Sequence, residues 1–143
     1  MNSLQIKVVD YRHEIDTIKQ IRTRVFQQEQ GVAAELEFDG LDEAATHLLA
    51  DLDNQAIGTA RIREINADTV KIERLAVLKN FRKQGIARQL MIFALNIVAD
   101  KTWVIVHAQE YIASLYRELG FAIVGDKFTE AGIVHLKMIK HLA

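Results

Sequence analysis

The stretch VLKNFRKQGIARQLMIFAL, from Val77 to Leu95, runs from apolar residues through a short basic loop holding one glycine and directly into a helical pattern. A helix starts with unpaired backbone N–H groups and a partial positive charge, so a glycine-bearing loop that feeds one is a natural anion cradle. The donors here are the amides of roughly Gln84, Gly85, Ile86 and Ala87. Gly85 and Ala87 have almost no side chain and let a bulky anion approach the backbone, while Arg82 and Lys83 add charge from the rim. A pyrophosphate suits that geometry. Neither common nucleotide fingerprint is present: there are no three glycines after a first strand and no GxxxxGK[ST]. Taken alone, such a loop is most often a plain connection with solvated charges.

The elements around the loop decide what it can do. LQIKVVD, Leu4 to Asp10, reads as a first strand, and Ile15, Ile18, Ile21, Val25 and Phe26 form the apolar stripe of a helix from about Tyr11 to Gln30, closed by Gly31. The acidic segment VAAELEFDGLDEAATH carries little pattern and reads as a loop or short helix. THLLADLDNQAIGTARIREI gives two strands around Asp51 to Asn54, and TVKIERLAVL a third, together an antiparallel meander. After the basic loop, Ile86, Leu90, Met91, Phe93, Ala94 and Ile97 fit a helix. TWVIVHA reads as a strand covered on both faces, YIASLYRELGF as a short helix stopped by Gly120, and FAIVGDKFTEAGIVHLKMI as two closing strands. This order predicts a three-layer α/β domain with a mixed sheet.

Composition narrows the classes. A chain of 143 residues, half of them apolar, is the size of one domain with its own core, so residues 1–143 are read as a single domain. The absence of cysteine excludes disulfides, zinc-thiolate sites and a cysteine nucleophile, and makes the cytoplasm the default compartment. Five histidines without metal-like spacing predict no metal site. No apolar run is long enough to span a membrane, and a net charge of −1 gives no global field to collect nucleic acid.

With those elements in hand, VLKNFRKQGIAR resembles the R/Q-x-x-G-x-G/A pyrophosphate loop of the GNAT superfamily, the acetyl-CoA-dependent N-acetyltransferases, with Arg82, Gly85 and Ala87 at the matching positions. ERLAVLKNFR resembles the family's fourth strand and its bulged exit, and SLYRELGF its FYxxxGF segment. VFQQEQGV, EFDGLDE, THLLA and EAGIVHLKM further resemble the small bacterial ElaA-like branch. The resemblance implies an αβα domain whose mostly antiparallel sheet splays between strands 4 and 5, with acetyl-CoA as cosubstrate in the wedge. Leu75, Ala76 and Val77 would pair through their backbone with the pantetheine arm. Tyr116 matches the tyrosine that serves the CoA sulfur. Dimers are common in such folds, and no interface is legible here.

Direct attack of an amine on a thioester needs a neutral amine, a polarised carbonyl and a proton for the leaving thiolate. For the base the sequence offers Glu73, His107 and His135, with Gln109 and Glu130 nearby, and does not choose among them. Glu73 is equally readable as an exposed strand residue, and His107 as a satisfied core histidine. Glu29, Glu35, Glu37, Asp39, Asp42 and Glu43 would steer a cationic amine or simply form a solvated acidic loop. Phe26, Phe38 and His47 are candidates for the acceptor wall. The leading expectation is acetyl transfer to a primary amine of unknown identity, without a metal and without a nucleic-acid or membrane partner. The alternatives are a non-catalytic acyl-CoA-binding module and a nucleic-acid protein using RKQGIAR.

Overall fold

The computed structural model describes residues 3–142. In chain order the elements are β1 (Leu4–Val9), α1 (Tyr11–Arg22), α2 (Ala34–Glu37), β2 (Thr46–Leu52), β3 (Gln55–Asn66), β4 (Thr69–Val77), α3 (Ile86–Ile97), β5 (Trp103–Gln109), α4 (Ala113–Glu118), β6 (Ala122–Ile123), β7 (Phe128–Glu130) and β8 (Ile133–His141). The strands form one mixed sheet in the order β1-β2-β3-β4-β5-β8-β6, with β7 also on β8. Every pairing is antiparallel except β4 with β5. Helices cover both faces. Leu90 of α3 lies over Gly58 on one side of β3, while Arg61, on the opposite side of the same strand, shares the Asp42 carboxylate with Arg22 of α1.

The first helix is capped by Asp10, whose carboxylate accepts from the Arg12 amide at 2.9 Å. The helical run is kinked at Glu14, where φ is −111° and ψ 15°, and its last part, Thr23–Glu29, is a π-helix that ends one residue short of the expected Gln30. The Gln30 amide reaches back five residues to the Val25 carbonyl at 3.2 Å. This widened segment presents Val25, Phe26 and Gln30 to the cleft described below.

Two expectations change. β5 is not covered on both faces: Val104, Val106 and Ala108 are buried, whereas Ile105, His107 and Gln109 are half-buried and Trp103 is exposed. Its all-apolar start hid an ordinary alternation, and the open face is where His107 and Gln109 stand. The chain after α4 makes three strands, because GDK separates β6 from the β7–β8 hairpin. Ala131 and Gly132, with φ of 52° and 78°, form the two-residue turn of that hairpin. Among the described residues no helix is long and apolar enough to cross a membrane.

Candidate active site

The functional cleft arises where the sheet comes apart. β4 and β5 pair only over Thr69–Lys71 against Trp103–Ile105, and from Ile72 onward β4 is bonded to β3 alone. A bulge sets the exit: Arg61 faces Glu73 and Thr59 faces Ala76, so Arg74 and Leu75 together oppose Ala60. Arg74 takes φ of 56° to do so, and a bulge of this kind re-aims the strand after it. The result is a cleft of about 730 Å³ lined by Leu75, Ala76 and Val77 on one wall and by His107, Gln109 and Tyr116 on the other.

The basic loop closes one end of this cleft. Lys83 and Gly85 both have positive φ, 63° and 78°, and Gly85 is the N-cap of α3. A left-handed Lys83 is a non-glycine outlier of the kind that collects at ligand-binding turns. The first-turn amides of Ile86, Ala87 and Arg88 lie beyond the reach of any intrahelical acceptor. A Cβ built on Gly85 meets no protein atom within 4 Å, so the glycine serves its backbone conformation and the open space above it. Lys83, Gly85, Ile86 and Ala87 line the cleft, and Gln84 does not. Arg82 lines it as well, but its guanidinium is not free at the rim. Its Nε donates to the Val77 carbonyl at 2.8 Å, and Nη1 and Nη2 grip Glu29 at 2.8 and 2.7 Å. Of five N–H donors, two remain for an anion.

Across the wedge, Tyr116 is buried, with its ring edge-on to Phe121 at 5.7 Å. Its hydroxyl has no hydrogen-bond partner among the described residues. Burial, with Tyr111 nearby, pushes the phenol well above its ordinary pKa, so it keeps its proton at neutral pH. His107 Nδ1 lies 3.3 Å from Glu130 Oε1, and His135 Nε2 lies 3.8 Å from Glu130 Oε2. A carboxylate only accepts, so the contact assigns the His107 proton to Nδ1 and leaves Nε2 with its lone pair. His135 donates Nδ1–H to the Ile133 carbonyl at 2.7 Å. All three side chains line the cleft.

Residues 13–142 match the acetyltransferase (GNAT) domain family. The chain belongs to the GNAT family. Bacillus subtilis YyaT is 34% identical over 98% of this chain and 97% of its own length. Among solved structures, Escherichia coli ElaA superposes with a TM-score of 0.84 at 24% identity, over 96% of this chain and 99% of ElaA, so the two share the fold. A GNAT family acetyltransferase from Elizabethkingia anophelis, solved with acetyl-CoA bound, superposes at 0.77 with 18% identity, over 97% and 98% of the two chains. The free β4 edge and the open, left-handed Gly85 fit what the GNAT cosubstrate requires: an unpaired strand edge for pantetheine and uncovered amides for pyrophosphate.

Within this GNAT fold four of the six acidic residues are tied to arginines, so little of the segment's charge is left to steer a cation. Only Glu37 and Asp42 are taken out of solvent. Glu37 and Asp42 are buried, bonded by Arg22 at 2.6 Å each, and Asp39 takes two bonds of 2.9 Å from Arg61. Hydrogen bonding from Arg61 holds Asp39 well below the usual carboxylate range. Glu29, though exposed, is occupied by Arg82, and Glu35 and Glu43 stand in solvent, Glu43 within 3.9 Å of Arg12. Phe26 lines the cleft as expected; Phe38 and His47 do not. Phe38 sits under the cations of Lys19 and Arg22, and His47 is buried, stacked on Tyr11 at 4.6 Å.

Glu73 is neither exposed nor basic. Its side chain is 7% exposed and meets Arg61, Arg63 and Lys71, the last two at 2.7 and 3.2 Å. Burial alone would raise its carboxyl, but the Arg63 hydrogen bond and the charges of Arg61 and Lys71 hold it at about 2. Such a carboxylate is a very poor proton acceptor at neutral pH. Sequence reading passed over Arg63 and Lys71, which line the cleft, and Gln30, whose Oε1 accepts from Gln109 at 2.8 Å. The alternation of charge in TARIREI and VKIER, every second residue polar on one face, was the available signal.

Proposed function

We propose that the chain is an N-acetyltransferase that moves acetyl from acetyl-CoA directly to a primary amine. The observation that carries this reading is the parted β4–β5 pair, with a free strand edge and the α3 loop on one side and a buried, protonated Tyr116 on the other. Acetyl-CoA supplies the activated acyl group as a thioester. The backbone of Leu75, Ala76 and Val77 would hold its pantetheine arm as an added strand, and the amides of Ile86, Ala87 and Arg88 would hold its pyrophosphate, with Lys83 and the spare donors of Arg82 beside them.

The chain's own groups then divide two proton transfers. An alkyl amine with a pKa of about 10.4 is neutral in roughly one molecule in two thousand at pH 7, so a base beside the amine raises the reactive fraction. His107 is suited to be that base, because Glu130 fixes its tautomer and would stabilise the imidazolium once Nε2 takes the proton. Tyr116 donates its phenolic proton to the departing thiolate. Burial keeps the phenol protonated until it is needed but also makes it a weaker acid, so its proton moves only as the breaking C–S bond places full charge on the sulfur. Glu73 moves no proton in this scheme and fixes the cations around it.

The test is thermal stabilisation by acetyl-CoA, with CoA and ATP as controls, followed by release of CoA thiol over a panel of primary amines. Stabilisation by acetyl-CoA and CoA but not ATP, with amine-dependent thiol release, is expected. No stabilisation at saturating acetyl-CoA would refute the cosubstrate. Stabilisation without thiol release over the whole panel would refute the enzyme and leave an acyl-CoA-binding module.

A further inference from the structure

The cleft face of β3 and β4 holds an ion-pair network with an unequal count. Five cations, Arg22, Arg61, Arg63, Lys71 and Arg74, meet four carboxylates, Glu37, Asp39, Asp42 and Glu73. One positive charge is left over, and its location follows from the bonds. Arg22 and Arg61 are fully buried and bonded to carboxylates. Arg74 is held by Asp39 and by the carbonyls of Leu36 and Glu37. Arg63 and Lys71 face each other across the β3–β4 ladder and share Glu73, which Arg61 also engages. Among the described residues Glu73 is the one carboxylate either of them bonds, and both line the cleft.

Position adds to charge. Lys71 is the last β4 residue still paired with β5, so the two cations stand at the point where the wedge opens. The cleft also holds Glu130, already bonded by His107 and within the field of Lys71. The acceptor end is therefore polarised. Glu130, braced on His107, stands on one side and offsets Lys71 only without a bond. Arg63 and Lys71, which share the single carboxylate of Glu73, stand on the other. Like charges paired across a ladder repel, and a ligand anion would relieve that repulsion.

We propose that the acceptor is an amine that also carries an anionic group, a carboxylate or a phosphoryl group, which Arg63 and Lys71 bind while the amine meets His107 and Glu130. This rests on the acetyltransferase reading for its chemistry, but the anion subsite is open to a separate measurement. Diamines and simple alkylamines should be poor acceptors, since the first places a cation on Arg63 and Lys71 and the second leaves them unanswered.

The experiment compares n-butylamine, putrescine, an ω-amino acid series from glycine to 6-aminohexanoate, and 3-aminopropylphosphonate. Thiol release gives kcat/KM, and calorimetry on the CoA-saturated protein gives affinity without turnover. We expect one or more acidic amines to exceed n-butylamine at least tenfold by either readout. Arg63→Gln and Lys71→Met should each cut that ratio about tenfold, Lys71→Glu should shift preference to putrescine, and Glu73→Gln, which frees both cations, should raise it. The last result would not arise if Arg63 and Lys71 only brace the sheet. The carboxylate and phosphonate arms separate the two anion classes. Retained stabilisation by acetyl-CoA in each variant shows that it is folded. Equal or better use of n-butylamine or putrescine, or a ratio indifferent to all four variants, overturns the proposal. Preferential binding of acidic amines without any thiol release would support the subsite and count against acetyl transfer, whereas thiol release with no acidic preference would do the reverse.

Discussion

Gly85 allows the cost of a turn to be separated from the cost of a lost ligand. In Gly85→Ala the new Cβ meets no protein atom within 4 Å, so the fold loses only what a left-handed alanine at φ of 78° costs. That is about 1–2 kcal/mol, offset by about 0.4–1 kcal/mol of reduced freedom in the unfolded chain. For 143 residues the unfolding entropy is about 0.3 kcal/mol/K, so the ligand-free Tm should fall by no more than about 5 °C. Acetyl-CoA at a hundred times its Kd adds about 2.7 kcal/mol, a rise of about 9 °C in the wild type. A methyl group over the first-turn amides that weakens the ligand tenfold would reduce that rise to about 5 °C. Gly85→Glu adds a carboxylate facing the phosphates and should abolish it. The assay is a pair of melting curves for each protein, with and without acetyl-CoA. If both variants lose a few degrees without ligand yet keep the full ligand-induced rise, Gly85 is a turn residue only, and the assignment of the α3 loop to pyrophosphate is wrong.

Tyr116→Phe should lower kcat by one to two orders of magnitude and leave stabilisation by acetyl-CoA unchanged; unchanged kcat with an active amine would remove the phenol from the mechanism. His107→Gln should cost a similar factor in kcat, and Glu130→Gln less, measured as CoA release at saturating acetyl-CoA; equal activity in both variants would rule out the histidine as base. Arg22→Met leaves Glu37 and Asp42 buried without their main partner and should cost about 3–5 kcal/mol in denaturant unfolding, and a loss below about 1 kcal/mol would contradict the burial of that pair. The Glu73 carboxyl is depressed from 4.5 to about 2 on folding, so its contribution, on the order of 3 kcal/mol, is fully present above about pH 4.5 and lost as the pH falls toward 2. Glu73→Gln should flatten that limb of the stability–pH curve, and an unaltered limb would show that other carboxylates set it.

What was legible in the sequence was local. The α3 loop, the LAV strand and the LYRELGF helix are short stretches whose residue types state their backbone requirements, and they lie where expected. The π-helical end of the first helix was not legible, because its apolar stripe at Val25 and Phe26 serves an α-helix equally well. The acidic segment was misread because charge pairing is settled by topology. Glu37 and Asp42 find Arg22 fifteen and twenty residues back, and Asp42 also finds Arg61 nineteen residues on, so no local window contains those partners. Glu73 was misread for the same reason, since two of its three cations come from the neighbouring strand.

That network also bears on how the two halves of the cleft are joined. Arg74 forms the bulge in β4 beyond its last pair with β5, and its guanidinium is tied to the Glu37 carbonyl of α2 and to Asp39. Asp39 is tied to Arg61, and Arg61 to Glu73, which holds Arg63 and Lys71 where β4 and β5 part. The unpaired edge of β4 and the cations Arg63 and Lys71 are therefore fixed by one bonded frame. Deleting one buried member leaves another charge unpaired, so the cost of change in this frame exceeds the worth of any single pair. A substitution at Asp39, which touches neither the α3 loop nor Tyr116, should therefore disturb both acetyl-CoA affinity and amine selectivity; a change confined to one of them would show that the two halves are held independently.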